Sequence, residues 1–334
     1  MRYLPKKKIK YAYLSAVLLL LIAAFLGLFL GSVPLSFDDL LRALTGDADT
    51  PEARIFWYVR LPRACAGILC GAAFSVAGAV IQGVLANRLA SPSIIGVNAG
   101  AGLAVTICAV FGIIGGFSLS LFAFLGALFS VMLVSLCAKK WSASRGTVIL
   151  MGVAFNSFLG AIADAITSFV PEIAVMNNDF KVGDFSFVTY DQLLPAAVII
   201  LISFSVLLSL TGELDVLTLG DENASGLGMN PTLMRTLFLI FVALLSGAAV
   251  SIAGLLSFVG LLVPHAVRRV SSAQSKHLLP LCALFGGGFV SLCDTLARTV
   301  FAPYEIPVGI IMAFIGAPFF IFILFKGRGG HRHA

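Results

Sequence analysis

Ten mostly apolar stretches, most of them about as long as a membrane crossing, run along this chain. A hydrocarbon core about 30 Å thick takes roughly 20 apolar residues as a helix. The stretches fall at 11–30, 64–85, 94–111, 117–138, 147–170, 193–210, 233–255, 256–267, 278–300 and 308–325. Inside hydrocarbon the backbone has no water to bond, so each segment must pair its own groups, and the alternating pattern of a membrane barrel is absent. The expected fold is an all-α integral membrane protein of about ten transmembrane helices, forming a single polytopic domain over 1–334. With 59% hydrophobic and only 11% charged residues, too little polar surface exists to coat a soluble core.

The stretch 238–267 is long for one crossing and short for two, and charge decides between them. A single crossing would put Arg268, Arg269, Lys276 and the basic tail with Lys326 and Arg328 outside, against the inward bias of Lys and Arg. Two crossings, the second short and interrupted by Gly260 and Pro264, put them inside. Both termini are then expected on the cytoplasmic face of the cell membrane. Arg42, Arg54, Arg60, Arg63, Lys181 and Arg298 remain at or near the outer face.

The run Lys6-Lys7-Lys8-Ile9-Lys10 precedes an apolar stretch of membrane-spanning length with no small-residue cleavage signal after it, which marks a retained first helix. The net charge of +6 is an inner-face anchor to anionic lipid rather than a nucleic-acid footprint. Cys65, Cys70, Cys108, Cys137, Cys282 and Cys293 all lie in apolar segments without C-x-x-C spacing and are read as small buried side chains. No metal site is expected. His265 is read as a hydrogen-bonding group near a helix end.

Gly71-Ala72-Ala73-Phe74-Ser75-Val76-Ala77-Gly78 is echoed by Gly247-Ala248-Ala249-Val250-Ser251-Ile252-Ala253-Gly254, differing only at the Phe/Val and Val/Ile positions. The two copies lie on helices expected to run in opposite directions, as in an inverted internal repeat. Small residues also recur wherever membrane helices pack closely. Each copy is followed by a broken segment, 87–92 in one case and Pro264 in the other, which favours duplication.

Asp164 and Asp294 lie inside apolar helices, where a carboxylate is a functional suspect. Asp164 is near an outer helix end, and Asp294 stands four residues before Arg298, a spacing suited to a local ion pair. Structural roles are expected for both, with proton coupling as the alternative. Asn156 either lines a pathway or bonds a neighbouring helix. The inner loop 211–232 is patterned as a short helix: Asp221 and Glu222 fit an acidic first turn, Ala224 and Leu227 share a face, and Gly228 provides a stop. It is either a docking surface for a soluble partner or a solvated connector.

Several ordered motifs resemble the iron-chelate and cobalamin permeases of ABC importers. In the first half these are Arg60-Leu61-Pro62-Arg63, Gly71-Ala72-Ala73, Asn87-Arg88-Leu89-Ala90-Ser91-Pro92 and Gly96-Val97-Asn98-Ala99-Gly100-Ala101-Gly102. In the second half they are Gly220-Asp221-Glu222 with Leu227-Gly228, Phe258-Val259-Gly260-Leu261-Leu262-Val263-Pro264-His265, Asp294-Thr295-Leu296-Ala297-Arg298, Pro307-Val308-Gly309 and Gly316-Ala317-Pro318-Phe319-Phe320. Arg88 and Ser91 depart from the family pattern, in which Pro and an acidic residue are frequent. The resemblance implies a type II ABC importer permease fold and a homodimer or pseudo-dimer with the pathway between subunits. It also implies two ATP-hydrolysing partners that bind ATP and Mg, and a substrate-binding protein outside. Arg60, Arg63 and Arg298 would dock that protein. Gly220, Asp221, Glu222, Ala224, Leu227 and Gly228 would form the coupling helix, and Asn98, Asn156 and Asp164 are candidate pathway residues.

No G-x-x-x-x-G-K-[ST] phosphate loop occurs in the chain, so a partner supplies ATP hydrolysis or an ion gradient drives transport. No convergent nucleophile, base or metal set points to an enzyme. The reading is a permease for an iron chelate or cobalamin, with a gradient-driven secondary transporter using Asp164 or Asp294 as the alternative.

Overall fold

The computed structural model describes residues 6–32, 38, 43, 50–141, 143–271 and 274–328. The chain begins with α1 (Lys6–Phe29), α2 (Pro51–Val84), α3 (Val97–Val110), α4 (Gly116–Lys140), α5 (Arg145–Phe169) and the short α6 (Ala174–Val182). It continues through α7 (Tyr190–Ser209), α8 (Thr211–Thr218), α9 (Asp221–Gly226), α10 (Pro231–Ala253), α11 (Val259–Val270), α12 (Ser275–Thr299) and α13 (Val308–Arg328). Among the described residues there is no strand. Each of the ten expected apolar stretches contains a helix. By length and composition α1, α2, α4, α5, α7, α10 and α12 are able to cross a membrane, while α3 and the Val308–Phe322 part of α13 are shorter apolar helices.

α2 starts at Pro51 rather than near 64, because the helix passes through Pro62 instead of starting beside it. A proline cannot donate to the carbonyl four residues back. The turn Phe56–Arg60 widens to π geometry, with the Leu61 N–H bonding Phe56 O, and the helix resumes as regular α.

The expected interruption at Gly260 and Pro264 is displaced. α11 is continuous through both residues, and the break lies at 254–258, between positive-φ Gly254 and Phe258. Pro264 leaves the Gly260 carbonyl without its helical donor, and Gln82 Nε2 of α2 fills that place at 3.1 Å. Arg268 Nη1 in turn donates to Gln82 Oε1. At 12 residues α11 rises only about 18 Å, well short of a crossing.

α2, α10 and α12 form the core, each with most of its length buried. α2 reaches its neighbours through glycine. A Cβ at Gly71 would lie 2.2 Å from Gly286 O of α12, and one at Gly78 would lie 1.8 Å from Gly260 O of α11. Ser75 Oγ donates to Cys282 O of α12 at 2.6 Å, tying the same face. Elsewhere large apolar side chains point outward: Leu14, Leu18 and Phe25 of α1, Phe129 of α4, Leu150 and Phe158 of α5, Ile202 of α7 and Phe314 of α13 are all exposed. A lipid-facing surface has that composition.

The echoed helices α2 and α10 pack against each other in opposite directions. The start of α2 lies beside the end of α12, whereas the start of α10 lies at the other end of the bundle beside α9. α2 packs chiefly on α12, and α10 packs on both α2 and α4. A break follows each copy, the 3-10 turn Pro92–Ile95 before α3 and 254–258 before α11.

Backbone approach of this closeness predicts a sharp mutational contrast. Gly286→Ala, whose Cβ would lie 2.3 Å from Gly71 O, should lose about 1–3 kcal/mol by overpacking. Gly102→Ala, with nothing within 4 Å, should unfold at the parental temperature in detergent.

Candidate functional site

At one end of the bundle, where α1 and α12 finish and the α-helical part of α2 begins, the chain concentrates ionised groups. Asp294 is 2% exposed and lies between two guanidinium groups. Arg63 Nε donates to its Oδ1 at 3.0 Å, and Arg298, one turn along α12, pairs with its Oδ2 at 3.2 Å. Arg63 also bonds Glu305 Oε2 at 2.7 Å and lies 3.8 Å from Asp184. The last carbonyls of α1 have no helical donors. Arg60 Nη1 satisfies Leu28 O and Phe29 O at 2.7 and 2.6 Å, and Arg298 Nη2 satisfies Gly27 O at 3.0 Å.

Arg60, Arg63 and Arg298, implied as docking groups, are thus brought together. Each is only 3% exposed and engaged within the chain. Glu305 is the carboxylate that reaches the surface over them. Partial burial pushes its pKa up, but hydrogen bonds from Ser32 and Arg63 hold it below the ordinary glutamate value. The i,i+4 pairing of Asp294 with Arg298 is present as expected, and Arg63 of α2 is the second partner of Asp294. The Arg63–Asp294 link was invisible in the sequence, since its partners are 231 residues apart.

At the opposite end the loop between α7 and α10 forms two helices, not one. In α8, Asp215 Oδ1 accepts from the backbone N–H and hydroxyl of Ser275, capping α12. α9 starts after Gly220 (φ +110°) with Asp221 and Glu222 in its first turn, and Gly228 (φ +81°) follows its end, as expected for a stop. Ala224 and Leu227 do not share a face: Ala224 is fully buried, whereas Leu227 lies just past the helix and is 67% exposed. Glu222, Asn223, Ser225 and Leu227 are left on an open surface.

Asp221 does more than face a helix dipole. Its Oδ1 accepts from Arg145 of α5 at 2.8 Å and its Oδ2 from Arg235 of α10 at 2.5 Å. Arg145 also bonds Leu217 O, and Arg235 bonds Ala143 O. α9 is therefore pinned to two long helices through one carboxylate. Burial raises the Asp221 pKa, and the two arginines outweigh it and hold the group below the usual aspartate value. Neither arginine stood out in the sequence beyond its inward-facing charge.

The three candidate pathway residues meet in one cleft. Asn98, Asn156 and Asp164 line a cavity of about 450 Å³ together with Ser93, Gly160 and Lys181. Asn156 Nδ2 donates to Ser93 O at 2.7 Å and Ile94 O at 3.1 Å, holding the 3-10 turn. Asp164 is exposed and pairs with Lys181 at 3.0 Å. Among the described residues no three His, Cys, Asp or Glu side chains are placed to hold a metal ion, and all six cysteines are free thiols.

Comparison with known proteins agrees with this architecture. Residues 19–326 match the model of the FecCD transport family. The chain is 35% identical over 322 residues to the Fe(3+)-citrate import system permease protein YfmD of Bacillus subtilis, covering 95% of each. It is 32% identical over 319 residues to the hemin transport system permease protein HmuU of Yersinia pestis, covering 93% of this chain and 94% of that one. A solved inward-facing structure of a metal-chelate type ABC transporter superposes with a TM-score of 0.84 at 30% identity, covering 95% of this chain and 99% of that one.

Two contrasts follow from the charge geometry. Asp294→Ala removes the carboxylate that two buried guanidinium groups share and should cost about 3–5 kcal/mol, whereas Asp164→Asn, in an exposed pair, should change stability by less than about 1 kcal/mol. Thermal unfolding of both variants in one detergent checks this. A carboxyl lowered in the folded state contributes stability that is present above its unfolded value, about 3.9, and lost as pH falls through the lower folded one. Hydrogen-exchange protection of α9 should therefore hold from neutral pH down to about 4 and drop below it. In Asp221→Asn the protection should be weak and flat with pH.

Proposed function

The chain belongs to the FecCD transport family, and from that premise we propose that it is the membrane-spanning subunit of an ATP-driven importer for a ferric chelate. What carries this reading is similarity over nearly the full length of chains named as Fe(3+)-citrate and hemin permeases, with no phosphate-loop motif in the 334 residues. Hydrolysis of ATP with Mg then falls to two partner subunits. A dimer of two copies of this chain enclosing the pathway is part of the same reading.

In this proposal the end bearing Asp221 is cytoplasmic, together with both termini. α9, pinned by Asp221 and presenting Glu222, Ser225 and Leu227, is the element an ATPase subunit grips. Motion transmitted to α9 reaches α5 and α10 directly through Arg145 and Arg235. The end bearing Arg63 faces outward and receives a substrate-binding protein. There an incoming carboxylate reaches Arg63 by taking the place of Glu305, the half-exposed partner it now holds. The cleft of Asn98 and Asn156 contributes amide groups to the pathway wall, which suits passage of a whole polar chelate rather than stripping of an ion.

The test is gentle purification from the native membrane with mass spectrometry of what accompanies the chain. Recovery of a soluble subunit carrying a phosphate loop is expected, and recovery of the chain alone would contradict the reading. In uptake assays Asp221→Ala should reduce transport at least about tenfold, since it removes both links between α9 and the bundle, each a charged hydrogen bond. Asp164→Asn should leave transport intact.

A further inference from the structure

At the end of the bundle that bears Arg63, a cavity of about 690 Å³ opens beside α6, between α3, the start of α4, the start of α7 and the end of α10. Small-molecule sites have roughly 300–1,000 Å³, mostly apolar walls and a few polar groups. Here Val105, Leu119, Ala123, Val188 and Ile252 form apolar walls, and Phe180 and Phe187 add aromatic faces. The charged groups are all acidic: Glu172, Asp179 and Asp184 line the cavity, and no Lys, Arg or His does. Glu172 and Asp179 are exposed and make no ion pair among the described residues. Asp184 lies 3.8 Å from Arg63, which Asp294 and Glu305 already share. Charge of one sign against low-dielectric walls concentrates the field inside a cleft, so this one attracts cations.

A second, independent group lies deeper. Ser120 of α4 lines the same cavity and is 8% exposed, and its hydroxyl has no hydrogen-bond partner among the described residues. The unpaired hydroxyls of Ser130 and Ser135, farther along α4, are sealed in the packing, whereas that of Ser120 is not. A ligand for this cavity therefore has two ends. A cation belongs at the mouth, beside the carboxylates and the ring of Phe187, which is 88% exposed, and a hydrogen-bonding group belongs at the floor. A bare metal ion does not fit, because among the described residues no three His, Cys, Asp or Glu side chains are placed to hold one. A zwitterionic lipid does not fit either, because its phosphate would find no basic group on the walls. We propose that the cavity binds a small organic ammonium ion with an apolar body and a hydroxyl at its far end. The site is separate from the cleft of Asn98 and Asn156, since Asp179 of α6 lines the one and Lys181 of α6 the other. The proposal stands on the cavity and not on the transported substrate.

Thermal unfolding of the full-length chain in a nonionic detergent at neutral pH tests this with three probes: tyramine, which has both ends, 2-phenylethylamine, which lacks the hydroxyl, and 4-ethylphenol, which lacks the ammonium. Both amines should stabilise the chain, tyramine at lower concentration, and 4-ethylphenol should not. Asp179→Asn should weaken the apparent affinity for both amines about tenfold, as expected for one lost interaction with a charged group. Ser120→Ala should weaken tyramine about fivefold, to the level of 2-phenylethylamine, and leave 2-phenylethylamine unchanged. Lys181→Gln, in the other cleft, should leave both affinities as they are. No stabilisation by either amine would overturn the proposal, as would an equal effect of 4-ethylphenol, which would show apolar partitioning alone. Undiminished binding in Asp179→Asn, or equal losses for the two amines in Ser120→Ala, would place the ligand elsewhere and overturn it too.

Discussion

Helix α2 occupies the middle of the bundle because the faces it turns to α11 and α12 carry almost no side-chain volume. In hydrocarbon no hydrophobic force drives helices together, and dispersion at short range with a few hydrogen bonds does the work. Gly71 against Gly286 and Gly78 against Gly260 permit backbone-to-backbone contact, and Ser75 adds a hydrogen bond where the helices are closest. Much else follows from this closeness. It brings Gln82 to the carbonyl that Pro264 leaves free, so α11 stays helical through a proline and ends as a short, tightly held element. It also brings the start of α2 level with the end of α12, where Arg63 meets Asp294.

The two ends of the bundle use the same device at different depths. At each, one aspartate is shared by two arginines drawn from two helices. Asp294 with Arg63 and Arg298 is buried, so its value lies in specifying how α2 and α12 meet, and breaking it strands charge. Asp221 with Arg145 and Arg235 is half-exposed, so the clamp is weaker and reachable by a partner. In the proposed function both behaviours have a use: a fixed frame where helices converge and an adjustable handle where an ATPase partner would act.

Much of this was legible in the sequence. Runs of apolar residues located the long helices, because a bilayer imposes its length on a segment that crosses it. The pairing of Asp294 with Arg298 followed from helical spacing, and the stop at Gly228 from its chemistry. The longer course of α2 was hidden because a π turn accommodates Pro62, and the continuity of α11 was hidden because Gln82, 178 residues from Gly260 in sequence, repairs the ladder. One arginine at Asp294 and both at Asp221 were hidden for the same reason. Helical spacing reveals partners on one helix, while Arg63, Arg145 and Arg235 come from others. The burial of Arg60, Arg63 and Arg298 was equally unforeseeable, since a basic residue at a helix end reads as exposed until its partners are seen: the carbonyls of α1 for Arg60 and Arg298, and Asp294 with Glu305 for Arg63.

The measurement that tests the account most directly is uptake of a radiolabelled ferric chelate by cells carrying the chain, with ATP and the proton gradient depleted separately. Uptake that stops on ATP depletion and survives collapse of the gradient is what an ATP-driven permease predicts. Uptake that survives loss of ATP and fails with the gradient would contradict it, and would return Asp164 to the centre of the mechanism.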